Sequence, residues 1–225
     1  VKLLKILKKY IELFVALELL LRNKIIEGVK NMLNIIFIRH LKTKGNKEKR
    51  YIGTTDESLL KEEIEKVNIN NYPKKIQKVY SSPLKRCIET SKCIYKNFQP
   101  VIYENLKECD FGDFENKNYK ELSNNIYYQK WIDSNGKLPF PNGESHEKFK
   151  KRCIEAFEEI IKEAINLKEK NIALVVHGGT IMAILEKFEV SRKSFYDYQV
   201  KNGCGFIGEI DEEKWNLEKK IKIVK

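Results

Sequence analysis

Two runs of apolar residues, each closing on a histidine, organise this chain. Ile35-Ile36-Phe37-Ile38 ends at Arg39-His40, and Ile172-Ala173-Leu174-Val175-Val176 ends at His177. Apolar runs of this length without alternation predict parallel strands buried on both faces. Shorter β-prone runs predict further strands at Lys78–Ser81, Val101–Tyr103, Gly205–Ile210 and near Leu217–Val224. Between them, apolar residues recur at helical spacing and predict helices over Ser58–Val67, Pro83–Tyr95, Glu144–Leu167 and Thr180–Phe188. Ser82 reads as the N-cap of the second helix, with Pro83 at its first position. The βαβ alternation predicts an α/β fold, a three-layer αβα sandwich around a mostly parallel sheet. Residues 106–143 interrupt it with Tyr127, Tyr128, Trp131, Pro139 and Pro141 at no regular period, which predicts a small inserted cap segment over the site.

The first 31 residues stand apart from this pattern. They are helical in period, apolar nearly all round between Ile11 and Leu21, and carry seven Lys or Arg against three Glu. Glu12 and Glu18 break the run too often for a stable membrane span, and no small-residue cleavage site follows. Three readings stay open for this N-terminal helical extension: a helix for an interface or a partner, a helix packed on the domain, or a misassigned start. The last is favoured, with Met32 as the first residue of a domain over 32–225.

Composition narrows the class without naming a function. The chain has 225 residues, enough for one α/β domain with a small insertion. Its five cysteines form no CxxC pair and read as reduced thiols of a cytoplasmic protein. Net charge is +11, but the lysines are spread along the chain rather than gathered with aromatics, so nucleic acid is not an expected partner. Such a field suits an anionic small molecule. Oligomeric state is left open by the sequence.

The candidate chemistry lies where the buried strands end, since open α/β sheets bind ligands at the carboxyl ends of their strands. A His at such an end is a candidate nucleophile, and Arg39 beside His40 is a fork for an anion. Gly178 and Gly179 after His177 allow close backbone approach and open a helix whose first amides favour an anion. Arg86 falls in the first turn of the helix after Ser82-Pro83, where a cation opposes the helix dipole and is better explained by an anion opposite it. A metal site is the alternative for the two histidines. The neighbouring Arg39 and the absence of metal-ligand spacing weigh against it, and no cofactor is expected. His146 reads as a solvated residue in the first turn of its helix.

In order and spacing, these segments resemble the histidine phosphatase superfamily, in its phosphoglycerate mutase-like branch. The resemblance runs from Leu33 to Ile223. It rests on Arg39-His40 with Thr43 and Asn46, Tyr51-Ile52-Gly53, Ser82-Pro83-Leu84-Lys85-Arg86, Glu108 with Phe111-Gly112, Asn142-Gly143-Glu144-Ser145 with Arg152, and His177-Gly178-Gly179. It implies hydrolysis of a small phosphate ester through a phosphohistidine on His40. Arg39, Arg86 and His177 would bind the phosphoryl oxygens, and Glu108 would act as acid and base. Thr43, Asn46, Gly53 and Gly178 would complete the substrate cradle. One departure stands in the first motif. Leu41 and Lys42 replace the family's usual glycine and acidic residue, and Leu41 would be strained if that glycine serves a special backbone angle.

Within the superfamily, the short insertion and Trp131, Pro141-Asn142-Gly143-Glu144 and Asn202-Gly203-Cys204 look most like α-ribazole-phosphate phosphatases of cobalamin assembly. A broad-specificity phosphatase and a phosphoglycerate mutase-like enzyme are alternatives. A catalytically weak member that binds a phosphorylated ligand is the alternative of another class. Phe111, Phe114, Tyr119, Tyr127, Tyr128 and Trp131 are candidate contacts for a flat base, against the plainer reading that they are core of the insertion.

Overall fold

A computed structural model describes residues 31–225 of the chain, and Glu18. The N-terminal extension expected over 1–31 lies outside the described residues, Glu18 and residue 31 apart. No helix among the described residues is long and apolar enough to cross a membrane.

The sheet contains β1 (Met32–Arg39), β2 (Lys78–Ser81), β3 (Val101–Ile102), β4 (Asn171–Val176), β5 (Gly205–Asp211) and β6 (Lys222–Ile223), in the order β3-β2-β4-β1-β5-β6. β1 pairs with β4, β4 with β2 and β2 with β3, all parallel, while β6 runs antiparallel to β5. The unbroken apolar runs are explained by burial on both faces. Ile35 and Phe37 of β1 and Ile172, Leu174 and Val176 of β4 pack into one core cluster. Ile36, Ile38, Ala173 and Val175 point the other way into a second. The order places β1 beside β4 with Arg39 opposite Val176, so both strand-end histidines emerge at one edge.

Seven helices are named among the described residues: α1 (Lys44–Lys47), α2 (Lys61–Lys66), α3 (Lys85–Ile94), α4 (Ile126–Asp133), α5 (His146–Asn166), α6 (Gly178–Phe188) and α7 (Glu212–Glu218). Helix α5 buries one stripe at helical spacing, of which Ala156, Phe157, Ile160, Ile161 and Ala164 cover the first cluster together with α6, and Phe149 and Cys153 reach a third. Helix α3 covers the second through Cys87 and Ile94. A third cluster, with Phe114, Leu122, Trp131, Phe140, Phe149 and Phe195, lies under residues 109–140 and gives that segment a core of its own.

Two expectations are corrected. The strand expected near Leu217–Val224 is shorter than expected: Leu217 and Glu218 close α7, Ile221 makes a single bridge to Glu189, and only Lys222–Ile223 join the sheet. Asp211 supplies the missing start signal: its side chain caps α7 by accepting from the Lys214 amide. Ser82 does not cap α3, which begins after Leu84 with no side-chain cap.

Candidate active site

β1 delivers His40 to the sheet edge in one fixed orientation. Its backbone amide donates to the Val176 carbonyl at 2.9 Å, continuing the β1–β4 ladder. Its Nδ1 lies 2.7 Å from the Leu41 carbonyl. A carbonyl can only accept, so Nδ1 carries the proton and Nε2 the lone pair. Burial, and after it the charge of Arg86, hold the imidazole pKa well below its usual range, with Arg39 adding to the effect and the Leu41 hydrogen bond opposing it. The ring is therefore neutral at pH 7 and unprotonated at Nε2. The partner that sets the tautomer is a main-chain oxygen of the adjacent residue, which no motif could have shown.

Leu41 itself is not strained. It is absent from the residues with positive φ. Its amide donates to Thr90 Oγ1 at 2.9 Å and its side chain is buried. The strain expected of Leu41 in place of the usual glycine is thus not found.

Arg39 Nη1 donates to the Val200 carbonyl at 2.7 Å, while its buried Nε has no partner among the described residues. Arg86 is fully buried. Its Nη1 donates to the Thr55 carbonyl at 2.7 Å, Nη2 to Gly53 at 2.8 Å, and Nε to His177 Nδ1 at 3.2 Å. No carboxylate lies within ion-pair distance of either guanidinium among the described residues. His177 is also fully buried, 5.2 Å from His40 between ring centroids. Since Arg86 Nε must donate, Nε2 of the neutral His177 carries its proton and faces Ser82 Oγ at 2.7 Å. Burial and the neighbouring Arg86 keep its pKa well below the usual value. The Ser82 oxygen thus accepts from His177 and, at 3.4 Å, from the Leu84 amide ahead of α3.

Glu108 is tied from two sides. Its Oε1 accepts from the Cys109 amide at 3.0 Å and its Oε2 from the Gly179 amide in the first turn of α6 at 3.2 Å. A Cβ at position 179 would lie 2.3 Å from Glu108 Oε1, so any side chain there would push the carboxylate aside. Behind Glu108, Arg152 forms a fork with Glu144, Nε to Oε1 at 2.7 Å and Nη2 to Oε2 at 2.8 Å. The same guanidinium donates to the carbonyls of Asn105, Lys107 and Glu108 at 2.7 to 2.9 Å. Glu144 and Arg152 carry part of the family resemblance, but their work as a clamp on the Glu108 segment was not legible in the sequence.

One cavity of about 460 Å³ gathers Arg39, His40, Asn46, Glu108, Gly178 and Gly179 on its wall. Asn46 Oδ1 accepts from the Thr43 amide at 3.3 Å and from Asn202 Nδ2 at 3.1 Å, and its own side-chain amide has no partner among the described residues. The other expected site residues stand behind the wall. Thr43 is fully buried and caps α1 through the Asn46 amide. Gly53 donates its amide to Glu115 Oε1 and lends its carbonyl to Arg86, and a Cβ there would lie 1.9 Å from the Cys109 carbonyl. Arg86 and His177 also lie behind the wall, in contact with each other and facing backbone carbonyls and a hydroxyl. No group of three or more His, Cys, Asp or Glu is placed to hold a metal among the described residues.

The far end of the cavity differs from expectation. Of the six aromatics considered, Phe111 and Trp131 line it. Phe114 is core, Tyr119 and Tyr127 are exposed, and Tyr128 stacks on Trp131 at 17°. The remaining rings are Tyr51, Phe140, Phe149, Phe195 and Tyr196, and His146 joins them, so it is not the solvated residue expected.

The family model of the histidine phosphatase superfamily (branch 1) matches residues 35–221. A broad-specificity phosphatase of Saccharomyces cerevisiae is 32% identical over 167 residues, covering 69% of this chain and 70% of its own. A phosphoglycerate mutase-like protein of Arabidopsis thaliana is 26% identical over 194 residues, 82% of this chain and 83% of that one. The solved structure of an alpha-ribazole phosphatase from Shigella flexneri superposes with a TM-score of 0.71, covering 85% of this chain and 94% of its own. At 23% identity that likeness is one of fold.

Proposed function

The chain belongs to the histidine phosphatase superfamily, branch 1, and is a phosphoric monoester hydrolase; we propose that it works through a phosphoryl group carried on Nε2 of His40. One observation carries the reading. A buried neutral histidine with its tautomer fixed sits beside the buried Arg86 and the half-buried Arg39, neither with a carboxylate at ion-pair distance among the described residues. Buried cations without a counter-ion are costly, and an entering phosphoryl group removes that cost.

Nε2 of His40 attacks phosphorus, the bond from phosphorus to the ester oxygen breaks, and Glu108 gives that oxygen a proton. Glu108 then takes a proton from water as the water oxygen attacks phosphorus. The bond from phosphorus to nitrogen breaks, and inorganic phosphate leaves. Arg39, Asn46 and Gly178 bind the phosphoryl oxygens. Arg86 and His177 act from behind, where the Arg86 charge stabilises the developing negative charge and His177 holds Arg86 in place.

For the substrate we propose α-ribazole 5′-phosphate. A cavity of about 460 Å³ is in the range of sites for whole small molecules, and its far end is lined by rings. A broad-specificity phosphatase is the second reading, favoured by an apolar far wall that discriminates by shape rather than by charge. Comparing kcat/KM for α-ribazole 5′-phosphate, 3-phosphoglycerate and phosphoserine tests both. A clear preference for the first ester is expected. Equal rates would leave the second reading standing, and preference for 3-phosphoglycerate would defeat both.

A further inference from the structure

His146 has no part in the phosphoryl chemistry, yet it lines the same cavity as His40 and Glu108. It is the first residue of α5, anchored by Ser145, whose hydroxyl accepts from the Lys148 amide. Its ring stands edge-on to Phe195, with centroids 4.6 Å apart at 80°. That packing fixes the ring while leaving it half-buried. Neither ring nitrogen has a hydrogen-bond partner among the described residues. Burial, then Lys150, lower its pKa, with Glu186 opposing, so the ring is neutral at pH 7 and presents one donor and one acceptor.

The surroundings say what such a group can recognise. The charged residues on the cavity wall are Arg39, Lys49, Arg50 and Glu108, all from the segments that bear the phosphatase motifs. Trp131, Phe140, Phe149, Met182, Phe195 and Tyr196 contribute none. Lys150, the cation nearest His146, is paired with Glu186 and lies over the Phe195 ring. Beside His146 and Phe195, where Lys150 is already paired with Glu186, a second phosphate or a carboxylate would gain little. An uncharged ring system with a polar edge would find aromatic faces and one fixed imidazole.

We infer that His146 is a specificity-determining residue, hydrogen-bonding the uncharged, heterocycle-bearing leaving group of a nucleotide-like monoester. The inference rests on the phosphatase reading of the same cavity. Steady-state kinetics at pH 7 on wild type, His146→Ala and His146→Gln test it, with α-ribazole 5′-phosphate as the ring-bearing ester and glycerol 1-phosphate as the small one. In His146→Ala the ratio of kcat/KM between the two esters should fall by about tenfold, the worth of one good polar contact, and the fall should lie in KM. His146→Gln, which keeps a donor and an acceptor, should recover part of it. A ratio that moves by less than about threefold, or a fall confined to kcat, overturns the inference. Thermal melts of both variants check the fold. Failure of the wild type on both esters would instead defeat the phosphatase reading, and the role of His146 with it.

Discussion

The two ends of the cavity are built in opposite ways. At the phosphoryl end, each group is held by the backbone: His40 by the Leu41 carbonyl, Arg39 by Val200, Arg86 by Gly53 and Thr55, and Glu108 by two amides. At the leaving-group end, rings hold rings, and Tyr51, Phe111, Trp131 and Phe140 meet one another at centroid distances of 5.0 to 6.0 Å. Main-chain hydrogen bonds fix a group to a fraction of an ångström, which phosphoryl transfer requires. Ring packing tolerates exchange of one apolar side chain for another. The first end should therefore be intolerant of change, and the second should tune which ester enters.

The sharpest break in this comparison is His40→Ala. It removes the group that carries phosphorus and leaves the strand intact, so turnover should fall by roughly a thousandfold or more. Retention of a tenth of the wild-type rate, measured with p-nitrophenyl phosphate, would show that His40 is not the nucleophile.

Arg152→Ala comes next, and it asks whether precision at the phosphoryl end extends beyond the cavity wall. Arg152 does not line the cavity, but its guanidinium collects Glu144 and three carbonyls of the segment that ends in Glu108. Loss of that clamp should displace the carboxylate and lower kcat by about ten- to a hundredfold, with little change in KM. Arg152→Lys should recover little, because an ammonium cannot form the fork. An unchanged kcat in a folded variant would show that the two amides alone suffice to place Glu108.

The same contrast explains what could be read from the sequence. The phosphoryl end is made where strands stop, so Arg39-His40 and His177-Gly178-Gly179 each appear as a short local signal after an apolar run. Adjacency of β1 and β4 then joins the two signals in space. The sheet was legible for the same reason, apart from the region after Asp211, where a seven-residue helix precedes the last strand and takes the first two residues expected in it. The leaving-group end is made of single residues from Tyr51 to Tyr196 whose only common property is where the fold puts them. His146 reads locally as a capped helix start, and that is correct; its place on the cavity wall depends on Phe195, almost fifty positions on. Arg86 was legible only as a cation in a first helical turn; that Thr55, Gly53 and His177 hold its guanidinium comes from the fold.

Leu41→Gly should have the smallest effect on turnover, and it tests whether the departure from the family's first motif matters. The catalytic service of residue 41 is its carbonyl, which holds His40 Nδ1 at 2.7 Å, and glycine has the same carbonyl. No positive φ at this position calls for glycine. The Leu41 side chain does something else: it is buried, and its Cδ2 lies against Gly203, whose amide donates to the Arg39 carbonyl at 2.9 Å. Removing it should cost about 2–5 kcal/mol in lost packing, with roughly 0.5–1 kcal/mol more for the freedom of glycine in the unfolded chain. For a domain of this size that corresponds to a fall in melting temperature of about 5–25 °C. The expected result is a less stable enzyme whose kcat/KM at 25 °C stays within about threefold of wild type, a margin of well under 1 kcal/mol in transition-state stabilisation. Higher turnover with no loss of stability would show that Leu41 holds the nucleophile out of place, and that the motif's usual glycine serves the chemistry rather than the packing.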